Sequence, residues 1–229
     1  TESTTTDRPF WVPDFPTTEL DGFRGSLTEA VDETARRLEQ AVRLRMLRAD
    51  VPVGSYLSGG LDSSLVAALG LRVTGKSFRT FSIRFEDAEY DETCFQRQMA
   101  EHLGSEHREV LVSRQDIAES LPDVVWHTER PILRTAPVPL FLLSQIVQQA
   151  GIKVVLTGEG ADEVFAGYDI FREGKVRRFW ARQPQSSRRP LLLGRMYPFL
   201  ARSPVAQPAL ARQFFGRDLD RWRAPAFAH

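Results

Sequence analysis

Apolar side chains fall at helical spacing at Leu27, Val31, Leu38 and Val42, immediately after Ser26-Leu27-Thr28-Glu29. A serine followed three residues later by a glutamate is the capping-box pattern, in which two side chains satisfy orphaned N–H groups reciprocally. It predicts a helix over 27–48 that Pro52 ends. The period then shortens. Residues 53–57 read as a short buried strand and 64–72 as a helix, while SFRTFSIRF (77–85) alternates between apolar and polar as a strand does. A helical run follows Tyr90-Asp91-Glu92 as far as Leu103, HREVLV (107–112) is a third strand, and a helix opens at Ser113. Residues 137–150 form an apolar helix stopped by Gly151, and IKVVLTG (152–158) is a fourth strand, apolar throughout. Strands alternating with helices predict an α/β fold, a parallel sheet sandwiched by helices. In such sheets ligands gather at the carboxyl ends of the strands, and two glycine-bearing loops, 58–64 and 158–160, fall on that edge.

Charge changes this picture locally. Thirty basic and thirty acidic residues cancel, so nothing global recommends nucleic acid or an anionic membrane as a partner. Residues 172–229, however, hold twelve arginines and Lys175 against Glu173, Asp218 and Asp220, a surplus of ten positive charges matched by the opposite surplus over 1–171. This basic part is read as helical, its arginines lying over apolar surface or pairing with the acidic body, in preference to a phosphate or RNA contact. Cys94 is the only cysteine, which excludes an intrachain disulfide and any multi-cysteine metal site; in a helical run it is expected to be a small buried hydrophobe. No apolar run nears the ~20 residues that span a bilayer, and TESTTTDRPFW lacks the regions of a signal peptide, so a reducing, cytoplasmic home is expected.

The candidate chemistry sits in the two loops. In LSGGLDSS, the break into Ser58-Gly59-Gly60 before a helix exposes backbone N–H groups at the positive end of the helix dipole, which is an anion site. Ser58, Ser63 and Ser64 add hydroxyls. Asp62 would repel a bare phosphate, so its presence calls for an intervening cation such as Mg²⁺, which binds one or two carboxylates together with phosphate oxygens. The loop is not a Walker A sequence, because the lysine and its spacing are missing. The second stretch, LTGEGADEVFAGY, places Glu159, Asp162 and Glu163 at the end of an apolar strand. Burying such charges is costly without a partner; a metal–nucleotide complex serves for Asp162, whereas Glu163 also fits as a complement to the following helix dipole. Asp91 reads equally well as a helix cap and as part of a nucleotide site, and His107 as a structural hydrogen-bonding histidine.

At these stretches the chain resembles the synthetase domain of the glutamine-dependent asparagine synthetase family, within the wider group of PP-loop ATP pyrophosphatases (adenine nucleotide alpha hydrolase-like). YLSGGLDSS, TFSIRF, YDE, HLGSEHREV and VVLTGEGADEVFAGY occur in the family's order over about 25–170. The resemblance implies that ATP activates aspartate as an aspartyl-adenylate with release of pyrophosphate, and that ammonia then gives asparagine and AMP. It places Ser58, Gly59, Gly60, Asp62, Ser63 and Ser64 around the pyrophosphate, and Asp62 and Asp162 on Mg²⁺. Leu57, Ile83, Thr157 and Gly158 would frame adenine and ribose. Glu159 would stand at the reacting carbonyl, where a carboxylate can orient or deprotonate ammonia, so Asp62 and Glu159 carry the catalytic expectation.

Departures from the family also shape the expectation. Its N-terminal glutaminase domain begins with a nucleophilic cysteine, whereas this chain begins with Thr1, so 1–24 is read as a linker from a missing glutaminase domain and glutamine hydrolysis is not expected. Residues 25–171 would be the pyrophosphatase core and 172–229 an incomplete remainder. The family's E-x-R-x-P-F-L-D stretch and the lysine after it are not found, Lys175 being the last lysine. Three readings follow: an asparagine synthetase core, an amide-forming relative of secondary metabolism resembling β-lactam synthetase, and a nucleotide-binding fragment without turnover.

Overall fold

The capping box closes in both directions. Glu29 N donates to Ser26 Oγ at 3.2 Å and Ser26 N donates to Glu29 Oε2 at 2.6 Å, which starts helix α1, Leu27–Leu47. The computed structural model describes residues 7–10, 12, 22–75, 78–196, 208–217 and 219. Most of the expected N-terminal linker, the start of the 77–85 strand and the final RWRAPAFAH lie outside the described residues.

Four strands follow: β1 (Val53–Tyr56), β2 (Arg79–Phe85), β3 (Glu106–Val112) and β4 (Val154–Leu156). All pair in parallel, in the order β3-β2-β1-β4. Helices α2 (Leu61–Thr74) and α3 (Thr93–Leu103) cross between β1, β2 and β3; α4 (Arg114–Thr128) and α5 (Pro137–Gln149) return the chain to β4. Parallel strands need such crossovers, and the helices they supply cover both faces. On one face Phe81 is fully buried with Leu143, Val147 and Ile152. On the other, Leu57 and Ala67 pack with Ala100 and Leu103, and Val42 of α1 packs with Val53 and Leu156. The expected sheet between helices is what forms.

Three local expectations need correction. Helix α2 begins at Leu61 rather than Ser64, because Gly60 is its N-cap, so Asp62, Ser63 and Ser64 belong to its first turn. Strand β4 is confined to three residues within the predicted 152–158. Among the described residues it is an edge strand whose only partner is the four-residue β1, and their register runs from Val53 with Val154 to Ser55 with Leu156. Cys94 is exposed, since the buried stripe of α3 is Thr93, Gln96, Ala100 and Leu103, and the helical period turns position 94 to solvent.

His107 is the structural histidine expected, with Nδ1 2.9 Å from Thr80 Oγ1. Burial lowers its pKa below the ordinary 6.5; Glu109, 3.7 Å from Nε2, opposes this without overcoming it. Above 6.5 the ring is neutral in both folded and unfolded chain. Below it the unfolded chain takes a proton that the folded one resists, so stability falls. Urea midpoints measured downward from pH 8 should therefore decline once the pH passes below 6.5, and His107→Gln should flatten that decline.

Beyond the sheet, α6 (Ala161–Phe165) and α7 (Asp169–Ala181) lead to a 3₁₀ segment, Arg189–Arg195, and α8 (Pro208–Phe215). Trp180, Leu193, Met196, Phe215 and Leu219 make a second core, and α7 runs across position 171. Arg189 lies 4.2 Å from the centroid of Phe179, and Arg177 pairs with Glu173 at 3.5 Å in the interior.

Candidate active site

Strand β1 is the point where the connectivity reverses: the chain leaves it toward β2 on one side and returns to β4 on the other. At such a switch point the loops leaving neighbouring strands diverge and open a crevice at their carboxyl ends. The loop after β1 carries Ser58-Gly59-Gly60, and the loop after β4 carries Thr157-Gly158-Glu159-Gly160. They touch at Gly158. A β-carbon there would stand 2.9 Å from both Asp62 Cβ and Ser63 N.

The first loop is braced by its own hydroxyls. Ser63 Oγ accepts from Ser58 N at 3.1 Å, donates to Gly60 O at 3.2 Å and lies 2.9 Å from Ser58 Oγ. Ser58 Oγ also accepts from Gly60 N at 3.3 Å. These hydroxyls hold the loop's shape, and to donate to a ligand they must exchange these partners. Gly59 turns at φ +82, and a β-carbon on it would lie 2.9 Å from Phe95 Cβ and 3.1 Å from Gln96 N, so glycine is needed for both its conformation and its contact with α3. Gly60, the N-cap of α2, has no side chain to cap it, so the N–H groups of its first turn lie at the crevice end without a side-chain acceptor from the N-cap.

One cavity of about 340 Å³ collects most of the expected residues. The first loop and α2 contribute Leu57, Ser58, Gly60, Asp62 and Ser63; β2 contributes Ile83; the second loop and α6 contribute Thr157, Gly158, Glu159 and Asp162. Gly59 and Ser64 are not in its lining. Asp62 and Asp162 are half-buried and Glu159 is exposed, so the burial cost expected for the second loop is not incurred at Glu159. None of the three carboxylates makes a side-chain hydrogen bond or ion pair among the described residues. Glu163 is exposed too and accepts from Tyr168 Oη at 3.2 Å; its charge raises the Tyr168 pKa. Asp91 ties the start of α3, accepting from Thr93 N at 3.3 Å, while its neighbours Tyr90 and Glu92 line the cavity.

Gln96 also lines the cavity without having stood out in the sequence. It is 3% exposed, and its Nε2 donates to Ile83 O at 3.0 Å and Ser58 O at 3.4 Å. Four residues after Glu92 it falls on the same face of α3, the one signal that could have marked it. Leu140 and Leu143 of α5 complete an apolar wall. Beside this cavity a second, of about 860 Å³, shares Phe85 and Tyr90 and carries Arg114 and Arg134.

The asparagine synthase family model matches residues 33–226. The chain is 38% identical over 179 residues to amidase chyE of Penicillium rubens, covering 72% of this chain and 26% of that protein. It is 39% identical over 160 residues to a putative glutamine-hydrolysing asparagine synthetase of Mycobacterium tuberculosis, covering 70% and 24%. Among solved structures, the ammonia-dependent NAD synthetase of Campylobacter jejuni superposes with a TM-score of 0.43 at 17% identity, over 60% of each chain. The chain thus spans about a quarter of the length of the curated relatives it matches.

Proposed function

The chain belongs to the asparagine synthase family, and on that premise we propose that it is the nucleotide-binding part of an ATP-dependent amide ligase. The observation that carries this reading is the meeting of the two loops at Gly158, which sets Asp62, Asp162 and Glu159 around one crevice at the switch point. In the proposed reaction a substrate carboxylate oxygen attacks the α-phosphorus of ATP, and the bond to pyrophosphate breaks. Ammonia then attacks the acyl carbon of the adenylate, AMP leaves, and the nitrogen loses a proton. For the family's reaction the acid is aspartate and the product asparagine.

Each residue has a part in this scheme. The first-turn N–H groups of α2, aided by the helix dipole, receive the departing pyrophosphate. Leu57 and Ile83 flank the base at the strand ends, and Thr157 and Gly158 the ribose. Asp62 and Asp162, two carboxylates without hydrogen-bond or ion-pair partners among the described residues, fit Mg²⁺, which uses one or two carboxylates and takes its remaining ligands from phosphate and water. Bound there, Mg²⁺ would offset the charge gathering on pyrophosphate. Glu159, exposed at the mouth, is placed to orient ammonia and accept the proton.

A second reading has its own support. The neighbouring cavity of about 860 Å³ is roomier than an aspartate side needs, and amidase chyE aligns as strongly as the asparagine synthetase does. The acid would then be a larger one, as for an amide ligase of secondary metabolism. Pyrophosphate exchange into ATP, measured with Mg²⁺ and a panel of acids, tests both readings. Exchange that requires aspartate supports the first; exchange with bulkier acids and not aspartate supports the second. Bound ATP with no exchange for any acid would leave a nucleotide-binding chain without turnover.

A further inference from the structure

The carbonyls at the ends of β1 and β2 already accept side-chain hydrogen bonds. Leu57 O accepts from the Ser82 hydroxyl, and both Ile83 O and Ser58 O accept from Gln96 Nε2. Ile83 O thus already accepts one side-chain hydrogen bond of the two that a carbonyl can take. Two carbonyls facing one amide fix its orientation, since only the nitrogen can donate to them. The amide oxygen must face the other way. Gln96 Oε1 is buried and has no hydrogen-bond partner among the described residues. A buried acceptor without a donor is unfavourable, and interiors seldom keep one without a use for it.

We infer that Gln96 is a specificity-determining residue of the nucleotide site: it relays acceptor character from the end of β2 and reads the 6-amino group of the purine. This rests on the ATP reading above. The geometry suits an amino group and not a keto group. The adenine 6-amino group would donate to Oε1 and satisfy it, while the 6-oxo group of a guanine or hypoxanthine would set oxygen against oxygen. Helix α3 makes the device rigid. The Gln96 N–H is bonded to Glu92 O at 3.1 Å, and the same first turn packs on Gly59, so base choice and loop shape share one support. Oε1 itself is sealed from solvent, so a base reaches it only when the Gln96 side chain, which forms part of the cavity wall, turns and loosens its bonds to Ser58 O and Ile83 O.

The test is equilibrium binding of ATP and inosine triphosphate, which differ in the 6-substituent and its ring proton, to the 229-residue chain with Mg²⁺ by calorimetry. The unaltered chain should prefer ATP by about ten-fold, the worth of one neutral hydrogen bond in a site of this kind. Gln96→Met should bring ATP down to the level of inosine triphosphate and leave the latter within about two-fold. Equal binding of the two nucleotides by the unaltered chain would overturn the assignment, and this arm does not depend on any variant folding. So would a Gln96→Met protein that loses both nucleotides alike, which would reduce Gln96 to a brace between α3 and the loop. If the unaltered chain binds neither nucleotide, the ATP reading itself fails and takes this one with it.

Discussion

Asp62→Asn is expected to reduce pyrophosphate exchange, with whichever acid supports it, by about a hundred- to a thousand-fold, the range seen when one electrostatic contact to a developing charge is removed. Asp62 is half-buried in the first turn of α2 and has no protein partner for its carboxylate among the described residues. Asparagine keeps its shape and removes only its charge. No hydrogen bond of the loop runs through it, since the bracing belongs to Ser58, Ser63 and Gly60. Thermal unfolding should therefore be unchanged while the rate falls. A rise in the Mg²⁺ concentration needed for half-maximal exchange should accompany the loss, because one carboxylate fewer faces the cation. A variant with exchange within three-fold of normal would remove Asp62 from the metal–nucleotide site.

What could be seen in the sequence was what local pattern encodes. Ser26 and Glu29 announce α1, the alternation through Phe81 and Phe85 announces β2, and the apolar run after Gly151 announces β4, though not how short a four-residue β1 makes its ladder. The early start of α2 was hidden because its first turn is polar: Asp62, Ser63 and Ser64 look like loop residues until Gly60 is known to be the cap. Cys94 was misjudged for a related reason. A helix with buried positions 93, 96, 100 and 103 is legible only once its phase is fixed, and Gln96, a polar residue, sits on the buried stripe that fixes it. The loop residues that share a cavity were marked by motif, yet the contact that brings the two loops together was not, because it joins residues about ninety-five positions apart and depends on Gly158 lacking a β-carbon.

That missing atom gives the second large effect. In Gly158→Ala the new methyl would meet Asp62 Cβ and Ser63 N at 2.9 Å, a distance that side-chain carbons do not tolerate. Neither neighbour is the free end of a flexible chain; both belong to the first turn of α2, which the loop hydrogen bonds and the fully buried Ala67 hold in place. The second loop must therefore retreat, carrying Glu159 and Asp162 away from Asp62. Displacements of this order cost about a hundred-fold in rate, since reacting groups must meet at near-contact distances, while the local overpacking costs stability by roughly 1–3 kcal/mol. Exchange should thus fall far more than the unfolding midpoint does. Gly194→Ala is the matched control: nothing among the described residues lies within 4 Å of the added carbon, so neither quantity should drop there. If Gly158→Ala keeps both its Mg²⁺-dependent nucleotide affinity and its exchange rate, the close approach of the two loops is not what assembles the site, and the carboxylates must be held together by something other than Gly158.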